Sequence, residues 1–111
     1  MIPELDPVIH SQGRLRIMTT LTALRTGDSL TFPRLQALLG TTAGNLSTHL
    51  RKLEDAGYVE VTKGHQGRVP TTTVRATRTG RRAFEDYVAR LQEMLTPPTG
   101  GDEATTSTTA P

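Results

Sequence analysis

Two apolar helical stripes stand only about three residues apart in this chain, and that spacing restricts the possible folds more than any other feature. Leu35, Leu38 and Leu39 are expected to face inward on a helix that Thr31 can cap. Pro33 is tolerated there because it falls in the first turn. Gly40 closes the segment at the position where helices favour a left-handed residue. Thr41 or Thr42 then caps a second segment, in which Ala43, Leu46, Leu50 and Leu53 recur at i, i+3, i+7 and i+10. A Gly-containing link of this length between two helices is the helix-turn-helix signature.

The flanking sequence places this pair within a larger order. Asp6-Pro7 is a helix-start signal leading into a short turn through Val8 and Ile9. Ser11 caps a first long helix carrying Leu15, Ile17, Met18, Leu21 and Leu24, and Gly27-Asp28 is expected to end it. Ser29-Leu30 has room only for a strand stub. After the second stripe, Ala56-Gly57 terminates the helix, and Tyr58 to Thr62 alternates as a strand does. Gly64-His65-Gln66-Gly67 reads as a turn, and Thr71 to Val74 as the returning β-branched strand. Thr77 caps a last helix in which Phe84, Val88, Leu91 and Leu95 recur at spacings of 4, 3 and 4. The expected class is therefore mainly α with a small β-hairpin: a helix-turn-helix, a hairpin wing and a C-terminal helix.

A length of 111 residues allows one small domain. Residues 1–96 are assigned to it. Residues 97–111 (PPTGGDEATTSTTAP) contain no apolar residue larger than Ala and are expected to be a disordered tail. The absence of Cys excludes disulfides, thiolate metal sites and a cysteine nucleophile, and fits a reducing, cytoplasmic setting. No apolar run approaches membrane length and no signal-peptide pattern opens the chain.

The formal charge of +2 hides a strong asymmetry. Residues 1–60 are neutral overall, whereas residues 61–84 carry Lys63, Arg68, Arg75, Arg78, Arg81 and Arg82 with no acid. Residues 85–111 hold five acids against one Arg. A block of six cations in 24 residues either faces a polyanion or forms a solvated Arg-rich surface.

With the apolar stripe of the third helix turned to the core, the opposite face shows Gly44, Asn45, Thr48, Arg51 and Lys52, flanked by Ser47 and His49. These types suit a major groove. Asn can pair with adenine, Arg or Lys with guanine, and Thr can touch a thymine methyl. Thr42, Gly44 and Asn45, in the first turn, are expected to enter deepest. Glu54 and Asp55 are expected past the contact zone. Lys63, His65 and Arg68 surround a glycine-punctuated wing tip, suited to the backbone or the minor groove.

The run from Leu46 to Val59 (LSTHLRKLEDAGYV) resembles the recognition helix and first wing strand of bacterial winged-helix regulators, similar to the MarR and ArsR groups. Asp6 to Met18 resembles their first helix, and Thr77 to Arg81 the start of their post-wing helix, so the resemblance spans residues 6–95. It implies a homodimeric transcriptional regulator that binds double-stranded DNA through a recognition helix at 42–56 and a wing at 63–70. His49 matches a His common in ArsR-like recognition helices, where a groove or phosphate role is implied. The last helix is expected to supply the dimer contact through Phe84, Val88, Leu91, Met94 and Leu95, the other arrangement being a stripe packed wholly on its own domain.

No enzymatic role is expected. The three histidines (His10, His49, His65) and the carboxylates are dispersed, with no nucleophile–base pair, phosphate-cradling loop or metal-ligand spacing. No cofactor is expected, and no residue set points to an effector. The rival reading is a winged-helix module that binds protein without DNA specificity.

Overall fold

The computed structural model describes residues 4–98. It contains α1 (Gln12–Thr22), β1 (Leu30–Thr31), α2 (Phe32–Leu39), α3 (Ala43–Asp55), β2 (Val59–Gln66), β3 (Val69–Ala76) and α4 (Arg78–Leu95). This is the expected order of helix, stub, helix, helix, hairpin and helix. Each helix begins with a hydroxyl cap. Ser11, Thr31, Thr42 and Thr77 are extended, and their side chains accept the N–H groups of Arg14, Arg34, Asn45 and Gly80. Gly40 ends α2 in the left-handed region at φ 62°.

One core unites these elements. Ile17, Met18 and Leu21 of α1, Leu35 and Leu39 of α2, and Leu46, Leu50 and Leu53 of α3 are buried together with Val59, Val74 and Ala76 of the hairpin. The sheet runs β1-β3-β2 and is antiparallel throughout. Val59 pairs with Ala76 and Val61 with Val74, so the core-facing side of the hairpin base is set by β-branched and small residues. The next pairs outward on that face are Lys63 with Thr72 and His65 with Pro70.

The α3–β2 turn is seated on the start of α4, which fixes the hairpin relative to α3. Thr77 N–H donates to the Tyr58 carbonyl at 3.0 Å, and its hydroxyl donates to the Gly57 carbonyl at 2.6 Å. A Cβ at Gly80 would stand 2.0 Å from the Tyr58 carbonyl oxygen, so only glycine permits this approach. The N-terminal turn is strapped down as well. The Asp6 carboxylate accepts the Val8 N–H at 2.8 Å and the Tyr58 hydroxyl, and the Tyr58 pKa is pushed up to about 12, first by that hydrogen bond and then by burial.

Five expectations need correction. First, α1 ends at Thr22, not at Gly27, and Leu24 packs on the core from outside the helix. Thr19, Thr20 and Thr22 turn their hydroxyls back onto the carbonyls four residues earlier, a habit that weakens helices. The freed carbonyls beyond are taken by Arg81, as described below. Second, Leu38 is 48% exposed. It lies about 100° around the helix from Leu39, on the shoulder of a stripe that Leu35 and Leu39 already fill. Third, the stub is Leu30–Thr31, one residue later than expected. Fourth, the hairpin turn is Gly67-Arg68, and Gly64 to Gln66 belong to β2. Gly67 has φ 66° while Arg68 has negative φ, the type II′ pattern that places Gly first. Fifth, α4 also turns Tyr87 inward, beside the expected stripe: it is buried and meets His10 Nδ1 at 2.8 Å through its hydroxyl. Of the expected tail, Pro97 and Pro98 alone fall within the described residues.

Candidate nucleic-acid interface

The outward face of α3 carries the expected side chains. Thr42, Gly44, Asn45, Thr48, Arg51 and Lys52 are all exposed. Two of them are pre-set by their own helix. The Thr42 hydroxyl accepts the Asn45 N–H at 3.1 Å, and the Thr48 hydroxyl donates to the Gly44 carbonyl at 3.0 Å. With that hydroxyl proton committed, what Thr48 offers outward is its methyl group and an acceptor oxygen. Gly44 has open space where a Cβ would stand.

His49 is placed differently from its neighbours. It is half-buried, and its ring lies against Gly13 of α1, so close that a Cβ there would sit 2.5 Å from Nε2. Arg14 NH1 reaches Nδ1 at 3.3 Å. A guanidinium can only donate, so Nδ1 accepts and the neutral ring carries its proton on Nε2. Burial, and then the charges of Arg14 and Lys52, hold the His49 pKa below its ordinary value. Arg14 Nε also donates to the Val8 carbonyl, so one side chain ties the N-terminal turn and α1 to α3.

The hairpin extends this surface. Val61, Lys63 and Thr72 form one wall of a groove of about 350 Å³, whose other side is built by Phe32, Ser47, Leu50, Arg51 and Glu54. Lys63 and Arg51 therefore face one groove between α3 and the wing, and His65 follows Lys63 on the same face. Glu54 lines that groove too, closer to the cations than its expected place past the contact zone. Lys63, His65 and Arg68 are all exposed, Arg68 at the turn itself.

The six-cation block divides by role. Arg75 pairs with Glu60 directly across the hairpin, with Nε 2.6 Å from Oε1. The Arg81 guanidinium donates to the carbonyls of Leu21, Thr22, Leu24 and Arg25 at 3.0–3.4 Å and so completes the C-terminus of α1. Among the described residues, Lys63, Arg68, Arg78 and Arg82 have no carboxylate within ion-pair distance.

One residue outside the expected set joins the surface. Arg16, exposed on α1, lines a cleft of about 80 Å³ with Thr41, Asn45 and His49. Its sequence signal was slight, because a single Arg on a helix has no partner until the fold supplies Asn45. On α4, Phe84, Val88 and Leu91 are half-buried against the core of their own chain, while Met94 and Leu95 are 45% and 72% exposed.

Among the described residues, no group of three or more His, Cys, Asp or Glu could hold a metal ion, and no helix is long and apolar enough to cross a membrane.

Three helices, a three-residue link between α2 and α3 and a two-stranded wing define a winged helix-turn-helix. Residues 14–95 match the family described as winged helix DNA-binding domain, and the chain belongs to that family. An uncharacterised protein of Methanocaldococcus jannaschii is 35% identical over 88 residues, covering 78% of this chain and 91% of that one. A transcriptional regulator homologue from Pyrococcus horikoshii OT3 is similar in structure with a TM-score of 0.73 at 31% identity, covering 79% of this chain and 84% of the other. The Staphylococcus aureus MepR–DNA complex shares the fold, with a TM-score of 0.60 at 22% identity over 81% of this chain and 67% of that one.

Proposed function

We propose that this chain is a sequence-specific double-stranded DNA-binding regulator of transcription that works as a homodimer in the cytoplasm. The observation that carries this reading is the shared groove. Arg51 on α3 and Lys63 on the wing face each other across it, and the exposed face of α3 beside it is small, polar and cationic. A helix of this width fits the major groove, and the wing then lies along the backbone or the adjacent minor groove. Asn45, Thr48, Arg51 and Lys52 are the base-reading candidates, with Thr42 and Gly44 setting the depth of approach. Lys63, His65, Arg68 and Arg16 supply the phosphate contacts. His49 acts at the edge of this surface, through its hold on α1. The role is recognition; no reacting group is required.

A second copy would cover Met94 and Leu95 and continue the half-buried stripe of Phe84, Val88 and Leu91. A twofold pair of this kind presents two α3 helices about one DNA turn apart.

Salt-titrated binding to duplexes selected from a random library tests the reading. Affinity should fall steeply as salt rises, through counterion release, and the selected site should be palindromic. Arg68→Ala should weaken all duplexes alike and flatten the salt slope, while Asn45→Ala should relax the preference at one base position. Failure to bind any duplex at low salt would leave the protein-interaction module as the better account.

A further inference from the structure

The two edges of α3 are held differently. On the wing side, the groove of about 350 Å³ separates α3 from the hairpin. On the α1 side, His49 Nδ1 meets Arg14 at 3.3 Å, and among the described residues this is the one side-chain hydrogen bond that joins α3 to another element. Gly13 precedes Arg14, and the His49 ring occupies the place of its missing side chain, with Nε2 2.5 Å and Cδ2 2.8 Å from where a Cβ would stand. Gly13 does not have a positive φ, so the close ring and not the backbone calls for glycine here. Arg14 is itself fixed from behind. Its Nε donates to the Val8 carbonyl, and the turn that carries Val8 is anchored at Asp6 by Tyr58 and at His10 by Tyr87.

The restraint falls where a reading helix is most sensitive. His49 stands four residues after Asn45, and residues at i and i+4 share one edge of a helix. Leu46, Leu50 and Leu53 press α3 onto the core, but apolar burial is non-directional, whereas a hydrogen bond has a direction. A roll of about 10° carries a side-chain tip about 6 Å from the helix axis through about 1 Å, more than the spread of good hydrogen-bond lengths. Long Lys and Arg side chains can follow a phosphate through such a shift. A paired contact with a base edge cannot.

Resting on the DNA-binding reading above, we propose that Gly13 and Arg14 are positioning residues: they form a seat that fixes the roll of α3 through the His49 ring, and so set where Asn45 and Thr48 meet the bases. Neither residue needs to touch the duplex. The seat serves discrimination between sequences and leaves the general attraction to phosphate unchanged. The N-terminal turn is its frame, since it holds the Arg14 guanidinium at the Val8 carbonyl while the same group reaches His49.

The test compares affinity for a duplex selected by the wild-type chain with affinity for a random duplex of equal length, over a salt series. Gly13→Ala pushes a methyl group into the ring. Arg14→Lys keeps the positive charge but loses the planar fork that reaches the Val8 carbonyl and the ring together, and it carries the test alone if the alanine variant fails to fold. Both should keep the circular dichroism, random-duplex affinity and salt slope of the wild type. The selected-to-random ratio should fall by about tenfold or more, the size of one lost base contact. The preference should relax at the base pair that Asn45→Ala also relaxes. His49→Ala should show the same loss, and adding Gly13→Ala to it should cost nothing more, because the methyl then has no ring to displace. A further loss in that double variant would mean that the methyl meets the duplex itself, which overturns the seat. An unchanged ratio in the folded single variants, or an equal loss on selected and random duplexes, overturns it too and leaves DNA binding intact. A wild type that binds no duplex, or binds all duplexes alike, overturns the underlying reading instead.

Discussion

Gly44 sits in the first turn of α3 with no atom within 4 Å of where a Cβ would stand. Gly44→Ala should therefore stabilise the free chain, by up to about 1 kcal/mol, because alanine loses less backbone entropy in a helix. The same methyl lies on the surface assigned to the groove, so duplex affinity should drop even as the urea midpoint rises. Gly80→Ala should do the reverse of the first effect. Its methyl would strike the backbone carbonyl of Tyr58, and backbone cannot step aside as a side chain can. A loss of about 2 kcal/mol or more in urea unfolding is expected, by the mechanism of overpacking. His49 supplies the pH dependence. Its folded pKa lies below its ordinary value, so unfolding takes up a proton as the solution becomes mildly acidic. Its contribution to stability is present in full above the unfolded pKa and is lost as pH falls through the lowered folded one. Urea midpoints measured at neutral and mildly acidic pH should thus fall further for the wild type than for His49→Asn. An equal fall would mean that the change does not come from His49.

At the scale of elements, the difference between what could and could not be read in the sequence is the difference between local and long-range partners. Four caps, the Gly40 stop and the α3 stripe are local arrangements of neighbouring residues, and each appears where the sequence places it. The carbonyls at the early end of α1 are met by Arg81, nearly sixty residues away, and no local pattern carries that information. Tyr87 likewise takes its place by meeting His10 across the chain, so a stripe drawn from Phe84, Val88 and Leu91 missed it. In the candidate site, the outward residues of α3 followed from periodicity. The alignment of Lys63 with Arg51 required the hairpin register, and the link from Arg16 to Asn45 required α1 to pack on α3. Arg81 and Arg75 look equivalent in the sequence and should behave differently on mutation. Arg81→Ala removes the guanidinium from the end of α1, where the Leu21 and Arg25 carbonyls keep the N–H groups of Leu24 and Asp28 but those of Thr22 and Leu24 lose their side-chain donor, and should cost about 2 kcal/mol, with faster amide exchange around residues 21–28. Arg75→Ala removes an exposed pair with Glu60 and should cost about 1 kcal/mol or less. Thermal or urea unfolding of the two variants side by side checks the contrast.

For the whole molecule, the small net charge of +2 is the sum of segments of opposite sign. The acid-free block of six cations covers the wing and the start of α4, and residues 85–111 that follow hold five acids against one Arg. That leaves the far end of α4 free of any demand for phosphate contact, and there the chain exposes Leu95 and Met94. One domain reading one half-site has a single α3 to offer, which limits both affinity and discrimination. Two domains joined through α4 double the contacts on one duplex and fix their spacing. Leu95→Glu tests this step with least risk to the fold, since Leu95 is not part of the core of its own chain. Each copy in the pair would lose a buried leucine and gain a carboxylate in an apolar contact. Burying a leucine contributes about 1.5–3 kcal/mol, so the dimer dissociation constant should rise at least a hundredfold. Sedimentation velocity over a range of concentrations should show the wild type as a dimer and the variant as a monomer with unchanged circular dichroism. On a palindromic site the variant should bind two half-sites independently, with the wild type's steep concentration dependence gone. If the wild type sediments as a monomer at every concentration and still fills both half-sites together, the pairing is made on the DNA and not through α4.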